Sequence, residues 1–565
     1  MYSKRGRKWT YIVLALTLAV ILLAAGCAKE PPAPTATPTP TTTPTTTPTT
    51  TPTTPGGEEP QYGGILRYWI NGEPGGWDAQ RQARYASSYT LPIFNNLVQF
   101  DPAQQFASPS TIIGDLAESW EVSADGLTVT FNLHKNVKWH DGKAFNADDI
   151  VGNFEKLVDP DRSAMAAQFP AFKSAEAVDD YTVKVTLTRP QPSMVAILAG
   201  GYCPIVPVHI DADWQTTDFL VGTGPFMFKN YTPGVGMDLE RNPDYFQKDA
   251  WGNQLPYLDG IAISLITDRS AQVDSFIGKR VDMMRPSTGI TNQTTAGRIK
   301  QQAPEAEIQW SIQSAQLFWI NNSKPPLDDK RVRQAIVLAA NMDDIVMGAF
   351  GSPQMRFGEV GLYPEPYGLS KAEIDKVLGW DAPMADRIAE AKQLLADAGV
   401  TDLTVRIAGA NIPELAKMSE VLADQLSKIG IKSDIVSVPF GELAGIQKSG
   451  DFHITNSGAS VMANDPDEIT GDFTTGAPRN LAKYSNPEVD RLNAAQSQEP
   501  DMAKRITMTM ELETIILGDA TVIPQGAGSF GTAKWPWVKG FVKQDPYYSS
   551  YLRMERVWLD ESLRK

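Results

Sequence analysis

Few residues of this 565-residue chain have the type and spacing for chemistry, and they are quickly enumerated. There are two thiols, Cys27 and Cys203, and four imidazoles, His134, His140, His209 and His453. No histidine pair has the HExxH or HxH spacing that brings two ring nitrogens to one metal. The densest acidic group is "ANDPDEITGD", with Asp465, Asp467, Glu468 and Asp472. It lacks the spacing and the closing glutamate of an EF-hand calcium loop. "GTGPF" at 222–226 has two glycines, without the third glycine and following helix of a dinucleotide loop. GxSxG and P-loop patterns are missing. Spacing leaves a carboxylate pair for glycoside hydrolysis open, but nothing singles one out. No catalytic residue, metal or cofactor is expected.

Cys27 stands at a junction. Lys4, Arg5, Arg7 and Lys8 make a basic start, and between Tyr11 and Ala25 only Thr17 is polar. Small residues then lead to Cys27, so residues 1–26 read as an export signal. The apolar run is short for a membrane span, which needs about 20 residues. Ala24-Ala25-Gly26-Cys27 resembles the lipobox of bacterial lipoproteins. That resemblance implies diacylation of the Cys27 sulfur, with two acyl chains holding the protein firmly at the outer face of the cytoplasmic membrane. Cys203, in the apolar "GGYCPIVP", then has no partner and reads as a buried structural thiol. Residues 31–56 are almost wholly Pro, Thr, Ala and Gly, with no apolar surface to bury. As polyproline II, such a tract reaches at most about 80 Å.

The remaining part, about 500 residues, exceeds one ordinary core. Net charge is −15, and −19 once the four basic residues of the signal are removed. That acidity argues against nucleic acid as a partner. No later stretch is apolar enough to span a bilayer.

Early elements alternate. "WEVSADGLTVTFNL" sets Leu127, Val129, Phe131 and Leu133 on one face and Thr128, Thr130 and Asn132 on the other, with a turn at Ala124-Asp125-Gly126. "YTVKVTL" repeats the period through Tyr181, Val183, Val185 and Leu187. Later the period lengthens. "LTVRIAG" is a buried-type strand, and Leu415, Met418, Leu422, Leu426 and Ile429 mark one helical face between Pro413 and Gly430. "IKSDIVSV" returns as a strand, giving a βαβ unit with parallel pairing. An α/β lobe over roughly 315–525 therefore follows a strand-rich one. An exported, acidic, multi-lobed α/β chain without catalytic motifs suits capture of a solute between lobes.

Ordered blocks make this specific. They are "YGGILRYWINGEPGGWDAQ", "LAESWEVSADGLTVTFNLHKNVKWHDGKAFNADDIVGNFEKLVDP", "VGTGPFMFKNYTPGVGMDLERNPDYF", "INNSKPPLDDKRVRQAIVLAANMDDIV", "AKQLLADAGV", "LSKIGIKSDI" and "DPD". With them the chain, from about Tyr62 onward, resembles the peptide/nickel/oligosaccharide-binding family, family 5, of ABC-importer solute-binding proteins. Much of that signature has a folding reason. Asp148-Asp149 suit a helix cap and first-turn charge, and Arg331 and Arg333 read as structural. The resemblance implies an α/β fold of the large three-domain periplasmic-binding-protein kind (type II, cluster C), with two lobes closing on a ligand cleft. It implies a first lobe from 61–82, 216–312 and 528–565, a strand-rich subdomain at 83–215, and a second lobe at 313–527, after a signal at 1–26 and a linker at 27–60. It also implies a monomer that delivers its solute to the transmembrane permease subunits and ATPases of an importer.

For ligand, the resemblance points first to a peptide. Peptide binders of this family place an aspartate for the ligand ammonium just before "DPD", and here that place falls on Met462. An unpaired ammonium in a closed cleft is costly. An oligosaccharide or other neutral polar solute, and a nickel or metal chelate, are the alternatives. Tyr89, Phe318, Trp319, Met462, Asn464 and Asp465 are the expected cleft residues, with Asp465 and Asp467 also read as turn formers. Trp69 and Trp77 fit a core equally. An exported hydrolase and a ligand-sensing role on the same scaffold are the rival classes.

Overall fold

The computed structural model describes residues 59–81, 88–351, 356–357, 361–363, 366–458, 465–544 and 550–564. Cys27, the signal and the Pro/Thr tract 31–56 lie outside the described residues.

Three large sheets, beside two two-stranded ones, organise the described residues. The first has four strands, in the order Ile65–Ile70, Gly260–Leu265, Gly236–Arg241 and Phe226–Thr232. Its first pair is parallel and the rest antiparallel. Gly236 is required there: its φ is 149°, and a Cβ would lie 1.9 Å from the Ile263 carbonyl oxygen. The second sheet is an antiparallel set in the order Ala117–Val122, Thr128–Leu133, Thr182–Leu187 and Phe172–Asp179. The expected alternation holds here. Val129, Phe131, Leu133, Val183, Val185 and Leu187 are buried, while Asn132 is exposed. Gly126 takes positive φ in the hairpin turn.

The helix Ala147–Leu157 differs from expectation at its start. Asn146 is the cap, and its side chain accepts from the N–H groups of Asp148 and Asp149. Asp148 and Asp149 sit in the first turn, where a carboxylate favours the helix dipole. Asp149 also closes the capping box by accepting from the Asn146 N–H at 3.1 Å, and it takes the Trp139 indole N–H at 3.0 Å.

The third sheet has six strands, ordered Arg356–Phe357, Val522–Lys534, Glu307–Ile320, Ile454–Gly458, Thr404–Ala410 and Lys432–Val438. Thr404–Ala410 runs parallel to Lys432–Val438, with the helix Pro413–Ser427 as its crossover. Met418, Leu422 and Leu426 are the buried stripe of that helix, and Leu415 is half-buried at its edge. Arg331 and Arg333 bond backbone carbonyls, Asp397 from the former and Leu327, Asp328 and Asp519 from the latter.

Side chains condense into two large apolar cores. The first draws on residues 66 to 303 and again on 533 to 559. The second lies wholly within 317 to 523. The long antiparallel strands Glu307–Ile320 and Val522–Lys534 run from one core to the other. Their pairing slips between Ile312 and Ser314 and again between Ala315 and Leu317, so the ladder is irregular at the crossing.

Candidate functional site

The expected cleft residues are placed as follows. Tyr89 is fully buried in the first core, edge-on to Trp77 (5.8 Å) and Tyr231 (6.5 Å), with its hydroxyl donating to the Gly72 carbonyl at 3.4 Å. Trp69 and Trp77 are core residues too. Phe318 and Trp319 are buried in the second core. Trp319 stacks on Phe473 at 4.9 Å and donates its indole N–H to the Ser457 carbonyl at 3.1 Å. Both faces of that central strand are covered, so adjacent residues bury in opposite directions. Met462 and Asn464 lie outside the described residues.

Asp465 is 3 % exposed and is not a free carboxylate. Arg505, from the helix Met502–Gly518, donates to both of its oxygens at 2.6 Å. Asp465 Oδ1 also accepts from the Asp467 N–H at 3.0 Å, so the turn role stands beside the ion pair. Burial works against the Arg505 charge, but Asp465 and then Asp467 outweigh it and raise its pKa. The clamp fixes the chain directly after the 459–464 segment.

Beside the strand crossing the structure gathers polar side chains that sequence reasoning did not single out. Arg285 donates to Asn71 and, at 3.2 Å, to Ser88. The Lys543 ammonium donates to the carbonyls of Pro286 (3.0 Å) and Ser287. On the other side of the crossing, Gln525 donates to Asn456 at 3.1 Å, and Asn456 to the Leu415 carbonyl at 3.3 Å. Glu513 accepts from the N–H groups of Leu362 (2.5 Å) and Leu369 (2.6 Å), pinning the segment that follows the edge strand. These partners are 144 to 151 residues away from Glu513, which is why no local pattern revealed them.

The histidines serve the fold. His140 accepts from the Gly222 N–H at 3.2 Å and its Nε2 bonds the Gly224 carbonyl at 3.0 Å, so the ring is a neutral, fixed tautomer. Gly222 and Gly224 are needed because a Cβ would strike the Ile93 carbonyl oxygen, at 1.9 Å and 2.4 Å. "GTGPF" thus serves close backbone packing. His209 pairs with Asp141 at 2.9 Å, and His453 accepts from the Arg406 N–H at 3.0 Å. The Cys203 thiol is fully buried and pushed up by that burial. Among the described residues no group of three or more His, Cys, Asp or Glu is arranged to hold a metal ion. No described helix is long and apolar enough to cross a membrane.

Two buried titrations oppose each other. Burial lowers His140 to about 4 from 6.5, so acidification through this window protonates the unfolded chain first and destabilises the first core. Burial raises Glu513 to about 7 from 4.5, so its contribution is full below 4.5 and is lost as pH rises through 7. Each is worth up to about 3 kcal/mol. Calorimetry between pH 4.5 and 7 is expected to show the transition of the second core falling as pH rises, and Glu513→Gln flattens that dependence. An unchanged slope in this variant removes the assignment.

Residues 111–480 match the family described as bacterial extracellular solute-binding proteins, family 5 Middle. The periplasmic oligopeptide-binding protein OppA of Escherichia coli is 26% identical over 466 residues, spanning 78% of this chain and 83% of its own. Heme-binding protein A of Haemophilus influenzae is 27% identical over 495 residues, spanning 81% and 86%. The crystal structure of the ABC transporter substrate-binding protein CtaP of Listeria monocytogenes superposes with a TM-score of 0.75 at 23% identity, covering 88% of this chain and all of that one (100%).

Proposed function

Because the chain belongs to the bacterial extracellular solute-binding proteins of family 5, we propose that it is a membrane-tethered trap that captures a peptide-like solute between its two lobes and hands it to an ABC permease. The observation that carries the reading is the family match across 111–480, which reaches into both cores and contains the strand Glu307–Ile320 that joins them. Cys27 would be the acylated anchor on the outer face of the cytoplasmic membrane, and the Pro/Thr tract the tether. Tyr89, Phe318 and Trp319 shape the cleft from behind as packed walls, and Met462, Asn464 and the polar groups around Arg285 and Asn456 are the proposed ligand-facing set. The lobe boundaries proposed are those expected from the sequence, with the hinge at the irregular crossing. Binding and delivery, with no reaction catalysed, is the role proposed, and the protein acts as a monomer.

One observation favours a second reading. The nearest described carboxylate to the segment that holds the amine in peptide binders, Asp465, is already engaged at both oxygens by Arg505. Asp465 therefore offers a ligand ammonium no free oxygen, which favours a neutral polar solute such as an oligosaccharide.

Native mass spectrometry of the intact protein, purified from its host without refolding, tests both. A co-purifying series of peptide masses is expected, and thermal shift with di- to pentapeptides should then raise the melting temperature. Sugar masses with no peptide shift would establish the second reading and overturn the first. Product release from either ligand on standing would mark a hydrolase.

A further inference from the structure

Glu414 lies in the first turn of the helix Pro413–Ser427, which packs into the second core. Its carboxylate faces two groups of the first core. The Arg269 guanidinium, at the start of the helix Arg269–Ile277, is 3.5 Å away. The Asn292 side-chain amide donates to it at 3.5 Å. Asn292 is the cap of the helix Gln293–Gln302, and its own oxygen accepts from the Thr295 N–H at 2.9 Å. The amide is thereby turned outward, and Glu414 meets the positive end of that helix as well as a cation. The Glu414 side chain is 14% exposed and that of Arg269 59%. The contact is thus partly desolvated on the acid side and wet on the basic side.

Both ends are braced. Ile290, two residues before Asn292, exchanges backbone hydrogen bonds with Gly531 on the long strand Val522–Lys534. On the other lobe, the Leu415 carbonyl accepts from Asn456, which accepts from Gln525 on that same strand. The acid and its partners therefore belong to separate cores whose angle is set at the irregular crossing between them. Their spacing reports that angle.

We infer that Glu414, with Arg269 and Asn292, is a latch between the lobes that sets how much of the protein is closed, and thereby its affinity, without touching the solute. The inference rests on the two-lobed trapping reading above. A contact made in the closed state and absent in the open one shifts the equilibrium by its own free energy, and every ligand that selects the closed state gains by the same factor. An exposed ion pair reinforced by a helix terminus predicts a shift of about threefold to fivefold.

The test needs no ligand. Spin labels are placed on the full chain in detergent through Lys248→Cys and Lys428→Cys, two exposed positions on opposite lobes, and interlobe distances are read by double electron–electron resonance. Glu414→Gln and Arg269→Glu should each lower the closed population about threefold to fivefold, and 1 M salt should do the same to the parent. The exchanged pair, Arg269→Glu with Glu414→Arg, should recover part of the loss, the ion-pair share, because an arginine at 414 meets the positive end of the helix Gln293–Gln302. Arg269 is exposed enough that its replacement leaves folding intact, so the readout survives if Glu414 variants fold poorly. Distances that neither Arg269→Glu nor salt moves overturn the latch, as does a double variant showing the sum of the two losses. A failed solute assay with these distance shifts intact would instead count against the trapping reading alone.

Discussion

Arg505→Ala is expected to destabilise the second lobe by about 3–5 kcal/mol, a large share of the 5–15 kcal/mol that holds an ordinary domain together. The side chain is 2% exposed, and each of its three nitrogens donates inside the protein. Two bonds of 2.6 Å go to Asp465, the Nε donates to the Gln496 carbonyl and side-chain oxygens at 3.2 and 3.1 Å, and Asp467 lies 3.4 Å away. The guanidinium also sits 5.8 Å from the centre of the Tyr367 ring. Truncation leaves Asp465 buried without its cation, and burial, which already pushes its carboxyl up against Arg505, then forces it to take up a proton or stay an unpaired charge. The effect therefore comes from the orphaned partner more than from the lost bonds, and this separates it from a cavity effect. Arg505→Met combined with Asp465→Leu should recover most of the loss, since apolar residues of similar size replace a buried pair at little net cost. Urea unfolding of the single and double variants decides: a single variant losing less than about 1 kcal/mol would be that of an exposed pair and would sink the argument.

Arg553→Ala should cost about as much in the first lobe. Arg553 is fully buried and bonds Asp115 and Gln99. Asp115 in turn accepts from the Asn95 amide (2.6 Å), the Asn96 N–H (2.6 Å) and the Gln247 amide (2.8 Å). Glu555 lies 3.3 Å from the Arg553 Nε and is itself buried. Arg553 thus stands between two carboxylates and ties the residues around 553 to segments laid down more than 400 positions earlier. Burial raises the Glu555 pKa, with Arg553 opposing it. Without Arg553 only Arg556 still opposes that burial, so Glu555 is pushed further up, takes up a proton on folding, and the variant should regain stability on acidification. Hydrogen exchange should show the tail 550–559 and the segment 95–99, which runs into the strand Val98–Phe100, losing protection together. Loss confined to the tail would mean that the network is not cooperative.

Local order was legible and long-range commitments were not. The hairpin at 117–133 and the βαβ unit at 404–438 followed from period and turn residues, because one buried face imposes its alternation on the chain. The helix cap was misread by two residues: Asn146 and Asp148 are both good caps, and only the backbone shows which one leaves the helix. Among candidate cleft residues, aromatic type alone did not say how deeply each side chain would sit, and Tyr89, Phe318 and Trp319 are buried. Asp465 was legible as a turn former, but its partner stands 40 residues on, and Glu414 faces residues 122 and 145 positions earlier. No periodicity encodes such pairings. The family blocks carried the fold because their residues are mostly of this packing kind, and for the same reason they said little about the solute.

The two cores also differ in when they can exist. The second is one uninterrupted stretch of sequence, complete once Ile523 has been made. The first waits for Ala533, Trp535, Trp537 and the residues up to Leu559, because these fill the same core as Leu66 and Phe94. A chain emerging from its N-terminus therefore presents the unfinished first lobe for nearly the whole of its synthesis, while the later-made lobe is the earlier to close its interior. The Thr/Pro-rich leader comes out before either of them.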